Sequence, residues 1–267
     1  MTLPTRQGIV LALAAFLIAS GVATPRRAVV SAFRRTMSEE TVTYRLQPLR
    51  RGLKELRTGF DGAQLALLQK LNRVDLDHLA RLGYIVVPDR WDADELTYSP
   101  LPLSYAWAES RPKALVVYQP AQVFGAYEYG RLVRWGPISS GRREAPTPEG
   151  LLSLNWKSKG RTSTFDPEWF MPWYFNFGSI EGLSFHEHQL PGRPASHACV
   201  RLLAVDARWL YDWGQQWQLD ASGRVWAPGT PVLVLGTFDF GASSPWRSME
   251  FLARPIDLPA DPFPQSG

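Results

Sequence analysis

The chain is expected to be mainly β, with one prominent helix, preceded by a small α-helical region. Three observations carry this expectation. From Lys113 onward, short apolar or alternating runs recur between Gly and Pro punctuation, which is the pattern of a β-meander. One stretch, Val205 to Trp217, breaks that pattern with helical spacing through Leu210, Trp213 and Trp217. Between Ala28 and Leu82, leucines recur at helical spacing instead. With 267 residues, 45% hydrophobic and 12% aromatic, the chain can bury a full core, which excludes a disordered protein and predicts one compact domain with a smaller attachment.

Taken in order, residues 1–23 read as an export signal or short membrane anchor. Arg6 precedes an uncharged apolar run from Gly8 to Ala23, with Gly21 and Ala23 as candidate small residues of a cleavage site and Arg26-Arg27 behind them. The sole cysteine lies far from this segment, so lipoprotein attachment is excluded. Residues 24–90 form the helical region, with Leu46, Leu49, Leu53 and Leu56 on one run and Leu65, Leu68 and Leu71 on the next. The piece from Leu67 to Arg73, followed by Ile85-Val86-Val87-Pro88, resembles a degenerate LysM-like wall-binding motif. A plain helical hairpin closing on a short strand gives the same pattern.

Residues 91–112 are expected to be a linker, on the density of Pro, Ser, Asp and Glu around Ser99-Pro100-Leu101-Pro102. The main domain is expected over residues 113–237. Its strands are Lys113 to Tyr118, Gln122 to Tyr127, Leu132 to Trp135, Leu151 to Trp156, Ile180 to His186 and Val232 to Leu235. The Pro- and Asp-rich residues 238–267 are expected to be a peripheral extension.

The net charge of +4 comes from arginines crowded between Arg26 and Arg73. That cluster suits contact with an anionic membrane or wall polymer, or simply a solvated helix face. No nucleic-acid partner is expected, since no nucleic-acid module is visible and the chain reads as exported. Export also changes the meaning of Cys199. In an oxidising compartment structural cysteines come in pairs, so a single one is an intermolecular partner, a bland buried residue or a reactive thiol.

The neighbours of Cys199 bear on that choice. A thiol with a free pKa of about 8.5 is mostly protonated at neutral pH, so a nucleophilic cysteine needs an imidazole to take its proton. His186 and His197 are both close in sequence. His197 lies two residues before Cys199, which puts the two side chains on one face of an extended stretch but lets them diverge in a turn, so spacing alone leaves the partner open.

The segment Phe185-His186-Glu187-His188-Gln189-Leu190-Pro191-Gly192-Arg193-Pro194-Ala195-Ser196-His197-Ala198-Cys199-Val200-Arg201 resembles the signature of the L,D-transpeptidase, or YkuD-type, family: an upstream His, a loop, then Ser/Thr-His-Gly-Cys, a hydrophobic residue and Arg or Asn. Ile138-Ser139-Ser140-Gly141, Thr147-Pro148-Glu149-Gly150, Met171-Pro172-Trp173-Tyr174 and Gly229-Thr230-Pro231-Val232 resemble further family segments, so the likeness runs from about Ala114 to Gly236. The resemblance implies the sandwich-like transpeptidase fold. It also implies Cys199 as nucleophile, His186 as general base and acid oriented by the Glu187 carbonyl, and His197 as a polar wall or the alternative base.

The backbone N–H groups of Ala198 and Cys199 are then the expected oxyanion donors, a kind of group worth about 3 kcal/mol. Arg201 is expected to bind a substrate carboxylate or brace the loop, and Ser196, Met171, Trp173 and Tyr174 to line the substrate site. His188 is read as a solvent-facing loop residue. Two features depart from the family pattern. Ala198 replaces the motif glycine, which strains the turn if it needs positive φ, and the loop from His186 to Cys199 is shorter than usual.

No cofactor and no metal are expected, because the histidines and Cys199 lack zinc-site spacing. The resemblance implies a peptidoglycan L,D-transpeptidase in the periplasm or cell envelope. Cys199 would form an acyl-enzyme with a tetrapeptide stem, release D-alanine and pass the acyl group to an amine. The alternatives are an L,D-carboxypeptidase or hydrolase using the same acyl-enzyme, and a non-catalytic wall-binding protein.

Overall fold

The computed structural model describes residues 42–163, 166–178 and 183–262. The export signal or anchor at 1–23, and residues 24–41 of the expected helical region, lie outside the described residues. Among the described residues, no helix is long and apolar enough to cross a membrane.

Strand β1 (Tyr44–Pro48) pairs antiparallel with β2 (Tyr84–Pro88), and between them run α1 (Gly52–Gly59), α2 (Gly62–Asn72) and α3 (Leu76–Leu79). Local chemistry sets these boundaries. Asp61 and Gln64 form a reciprocal capping box at the start of α2, Arg73 ends that helix in the left-handed conformation at φ 60°, and Asp75 caps α3. The buried residues Leu56, Leu68, Leu79, Ile85 and Val87 form a small core of this layer. Strand β1 was read as helix, because Leu46 and Leu49 happen to fall at helical spacing; β1 is short and half exposed, and so lacks a clear period of its own.

The main sheet contains β3 (Ala114–Tyr118), β4 (Val123–Glu128), β5 (Arg131–Ser139), β6 (Gly150–Ser153), β7 (Lys157–Thr162), β8 (Phe170–Asn176), β9 (Ser184–Glu187), β10 (Val200–Leu202) and, after helix α4 (Ala204–Trp213) and the hairpin β11 (Gln218–Leu219) with β12 (Val225–Ala227), strand β13 (Pro231–Leu235). Its order is β6-β13-β3-β4-β5-β10-β9-β8-β7. Most neighbours are antiparallel, whereas β13 with β3 and β10 with β9 are parallel. The mainly β architecture with one prominent helix is therefore present.

Strand β3 is a continuous apolar run because both of its faces are covered. Ala114 and Val116 face one core with Leu67, Leu71, Tyr98, Leu101 and Tyr105. Leu115 and Val117 face the other, with Phe175, Phe185, Leu202 and Leu210 of α4. Two expectations change here. Residues 91–112 are not a free linker: Tyr98, Leu101, Tyr105 and Ala108 are all buried, since this Pro-rich stretch also carries well-spaced apolar side chains. The end of the chain is not wholly peripheral either, because Trp246, Ile256 and Leu258 are buried, the last two in the first of those cores.

Candidate active site

The site is built where β10 meets β9. Their parallel register sets Val200 opposite Phe185, Arg201 opposite His186 and Leu202 opposite Glu187. Alternation along each strand then sorts the side chains. Phe185, Val200 and Leu202 enter the core under α4, while His186, Cys199 and Arg201 open into a pocket on the other face. Ser184 Oγ lies 3.3 Å from Cys199 Sγ, on the same side.

His186 is 4% exposed and Cys199 7%. The Glu187 carbonyl lies 2.9 Å from His186 Nδ1. With the proton on Nδ1 donated to that carbonyl, Nε2 carries the lone pair that can accept a proton. Burial is the main influence on both groups. It pulls the His186 imidazole down to about 4, with nearby His188 and Arg201 adding to the effect and the Glu187 carbonyl opposing it. It pushes the Cys199 thiol up, against the Ser184 hydrogen bonds and the Arg201 charge. Both shifts favour the neutral forms, a protonated thiol and an unprotonated imidazole.

The loop carrying Ser196, His197 and Ala198 is seated on the segment after β5. Ser140 O accepts Ala195 N–H and Ser196 N–H at 3.0 and 3.1 Å, and Arg142 N–H donates to Ser196 O at 2.9 Å. Thr147 Oγ1 accepts from Gly141 N at 2.9 Å and donates to Ala198 O at 2.8 Å. A side chain at Gly141 would collide with backbone, its Cβ falling 2.2 Å from Ala145 O, so glycine is required for this approach.

Two expectations about the motif are refined. Ala198 does sit at φ 70°, the left-handed conformation that suits glycine. Its N–H is not an oxyanion donor, because it donates to Ala145 O at 3.0 Å. Ser196 reaches the pocket edge, but its hydroxyl donates to the Cys199 carbonyl and so pins the turn.

The pocket is lined by all of His186, His188, His197, Cys199, Arg201, Ser196, Met171 and Tyr174, and by Arg161, Ser163 and Trp169. His197 packs against Trp169 with ring centres 5.0 Å apart. His188, expected in solvent, lines the pocket with its ring 6.0 Å from that of His186. Trp173 lies outside the pocket, against Tyr211 of α4 at 5.5 Å. The reason is its φ of 55° within β8. One left-handed residue shifts the phase of a strand, so Met171 and Tyr174 share the pocket face while Trp173 and Phe175 both meet Tyr211.

Arg161 was not anticipated because β7, Lys-Ser-Lys-Gly-Arg-Thr, has no apolar alternation to announce a strand. Its guanidinium lies 4.9 Å from the Trp156 ring and 5.6 Å from that of Tyr174. Among the described residues, the lining thus holds three imidazoles, two guanidiniums and no carboxylate. Among the described residues, no three His, Cys, Asp or Glu side chains are grouped to hold a metal ion.

A buried thiol beside an imidazole whose other nitrogen is fixed, in a pocket of cationic and aromatic groups, has the composition needed for acyl transfer through a cysteine. Residues 112–234 match the family model of the YkuD-type L,D-transpeptidase catalytic domain.

Among solved structures, the chain is similar to an L,D-transpeptidase from Mycobacterium smegmatis, at 21% identity over 47% of this chain and 59% of that one, TM-score 0.38. It is also similar to one from Stackebrandtia nassauensis, at 23% identity over 48% and 57%, TM-score 0.39. A third, from Mycobacterium tuberculosis H37Rv, gives 21% identity over 57% and 72%, TM-score 0.37. The chain therefore spans somewhat less than two thirds of the first two structures. No curated protein sequence matches it.

Proposed function

We propose that this protein is a peptidoglycan L,D-transpeptidase acting through Cys199 and His186. The observation that carries the reading is that His186 on β9 and Cys199, the residue immediately before β10, line one pocket. Cys199 Sγ attacks the carbonyl of the L,D peptide bond in a tetrapeptide stem while His186 Nε2 takes the thiol proton. The same imidazole returns that proton to the departing D-alanine amine, leaving a thioester. An amine from a neighbouring stem then attacks the thioester, gives up a proton to His186, and releases Cys199 with a new peptide cross-link.

Arg201 lines the pocket, and no carboxylate lies among its described lining residues, which suits it to a carboxylate of the incoming stem. His197, packed against Trp169, serves as a wall of the substrate site rather than as the base. This chemistry belongs in the cell envelope. The apolar run from Gly8 to Ala23 and the arginines after it fit export and contact with membrane or wall.

The test is to incubate the full chain with disaccharide-tetrapeptides and weigh the products. Cross-linked dimer and free D-alanine are expected, and both disappear in Cys199→Ala and His186→Ala while the folded far-UV spectrum is kept. Free tripeptide without dimer would instead mark a hydrolase. Turnover surviving in Cys199→Ala would remove the thiol from the mechanism.

A further inference from the structure

The residue that fixes the catalytic loop from outside is Asp75, which belongs to the helical layer and lies beyond the matched segment 112–234. Its Oδ2 accepts the Leu190 N–H at 2.8 Å, and its own N–H donates to Leu190 O at 3.2 Å. Two hydrogen bonds therefore tie one residue of the helical layer to one residue of the loop that leaves His186. The neighbours repeat the contact. Val74 forms an antiparallel bridge with Pro191, and Gly192, at φ 74°, comes so close that a Cβ there would fall 2.9 Å from Val74 Cγ1.

Asp75 is itself held firmly. Its Oδ1 accepts the His78 N–H at 2.9 Å, capping α3, and the His78 ring nitrogen Nδ1 lies 2.8 Å from Oδ2. The turn before it is anchored as well: Asn72 bonds to both Leu68 O and Val86 O, and Arg73 Nε donates to Ala121 O at 3.0 Å. Leu190 and Val74 are 0% and 2% exposed, so the apolar side of this contact is buried.

Only Glu187, His188 and Gln189 separate His186 from Leu190. The Glu187 carbonyl is the group that receives His186 Nδ1, and His188 N–H donates to Leu202 O of β10 at 3.2 Å. A loop pinned at Leu190 cannot swing without dragging that carbonyl. We infer that Asp75 is a positioning residue for His186, fixing the Glu187 carbonyl and hence the tautomer and aim of the imidazole through its bonds to Leu190. The inference rests on the reading of His186 as the base for Cys199.

The test uses the full chain and two readouts: kcat and KM for the transfer reaction, and the rate of Cys199 alkylation by iodoacetamide, followed by intact mass across the pH range in which the thiol titrates. In Asp75→Ser the short hydroxyl still caps α3 but does not reach Leu190. It should lower kcat and the alkylation rate about tenfold, as expected for a small displacement of a catalytic group, with KM changed less than about twofold. Its alkylation profile should move toward that of His186→Ala.

Asp75→Asn, which keeps the volume and one acceptor oxygen, is measured alongside and should fall between wild type and Asp75→Ser. It also serves if the serine variant does not fold. His78→Ala leaves both Asp75–Leu190 bonds and should keep the wild-type rate. Wild-type alkylation and kcat in the Asp75 variants, with His186→Ala impaired, would overturn the positioning role alone. An unimpaired His186→Ala would overturn both this role and the choice of base.

Discussion

Burying an imidazole at 4% exposure with its Nδ1 proton committed to a carbonyl has a consequence that reaches past catalysis. In the unfolded chain His186 takes up a proton near pH 6.5, whereas in the folded protein it does so only near pH 4. Between those values the unfolded state binds more protons, so stability falls as pH falls through that window. The loss attributable to this residue approaches about 3 kcal/mol at its limit. Urea unfolding of wild type and His186→Asn across the window should show a steeper acid loss in wild type, and equal slopes would contradict the burial argument. Ala198, three residues before Arg201 and at φ 70°, presents the opposite case, a side chain where none is wanted. Ala198→Gly should raise stability by up to about 1 kcal/mol, the relief of left-handed strain exceeding the entropy gained by the unfolded chain. A destabilised Ala198→Gly variant would mean that the methyl contact with the core outweighs the strain.

At the scale of elements, the parts legible in the sequence were those whose physics is local. Strands β3, β4 and β13 announce themselves because two covered faces demand unbroken apolar runs, and α4 because its buried face recurs every three to four residues. Cys199, His186 and Arg201 were found from a motif and are indeed brought into one pocket. What escaped depended on contacts between distant segments. Strand β7 is polar and takes its place from pairing with β8. In β8, simple alternation puts Met171 and Trp173 on one face, and a single left-handed residue undoes that sorting. The N–H of Ala198 looked available to substrate until the segment after β5 folded over it and supplied the Ala145 carbonyl. Asp75 gave no sign at all, since its bond to Leu190 spans 115 positions.

For the molecule as a whole, the ends of the described chain are structural. Of eleven tryptophans, only Trp135 and Trp246 are nearly fully buried, and the rest are half-buried or exposed. Those two lie 5.5 and 5.9 Å from the guanidinium of Arg73, which burial holds at about 9. Trp246→Ala should cost about 3 to 5 kcal/mol in urea unfolding, the usual effect of removing a buried indole; a loss near zero would make the C-terminal segment an appendage after all. The parallel pairing of β9 with β10 carries a last implication. The imidazole sits on β9 and the thiol on the residue that enters β10, so the paired strands, and not the twelve residues strung between the two groups, hold them near each other. That intervening segment behaves as a tether with both ends clamped, so its length and sequence can vary while the two groups stay near each other.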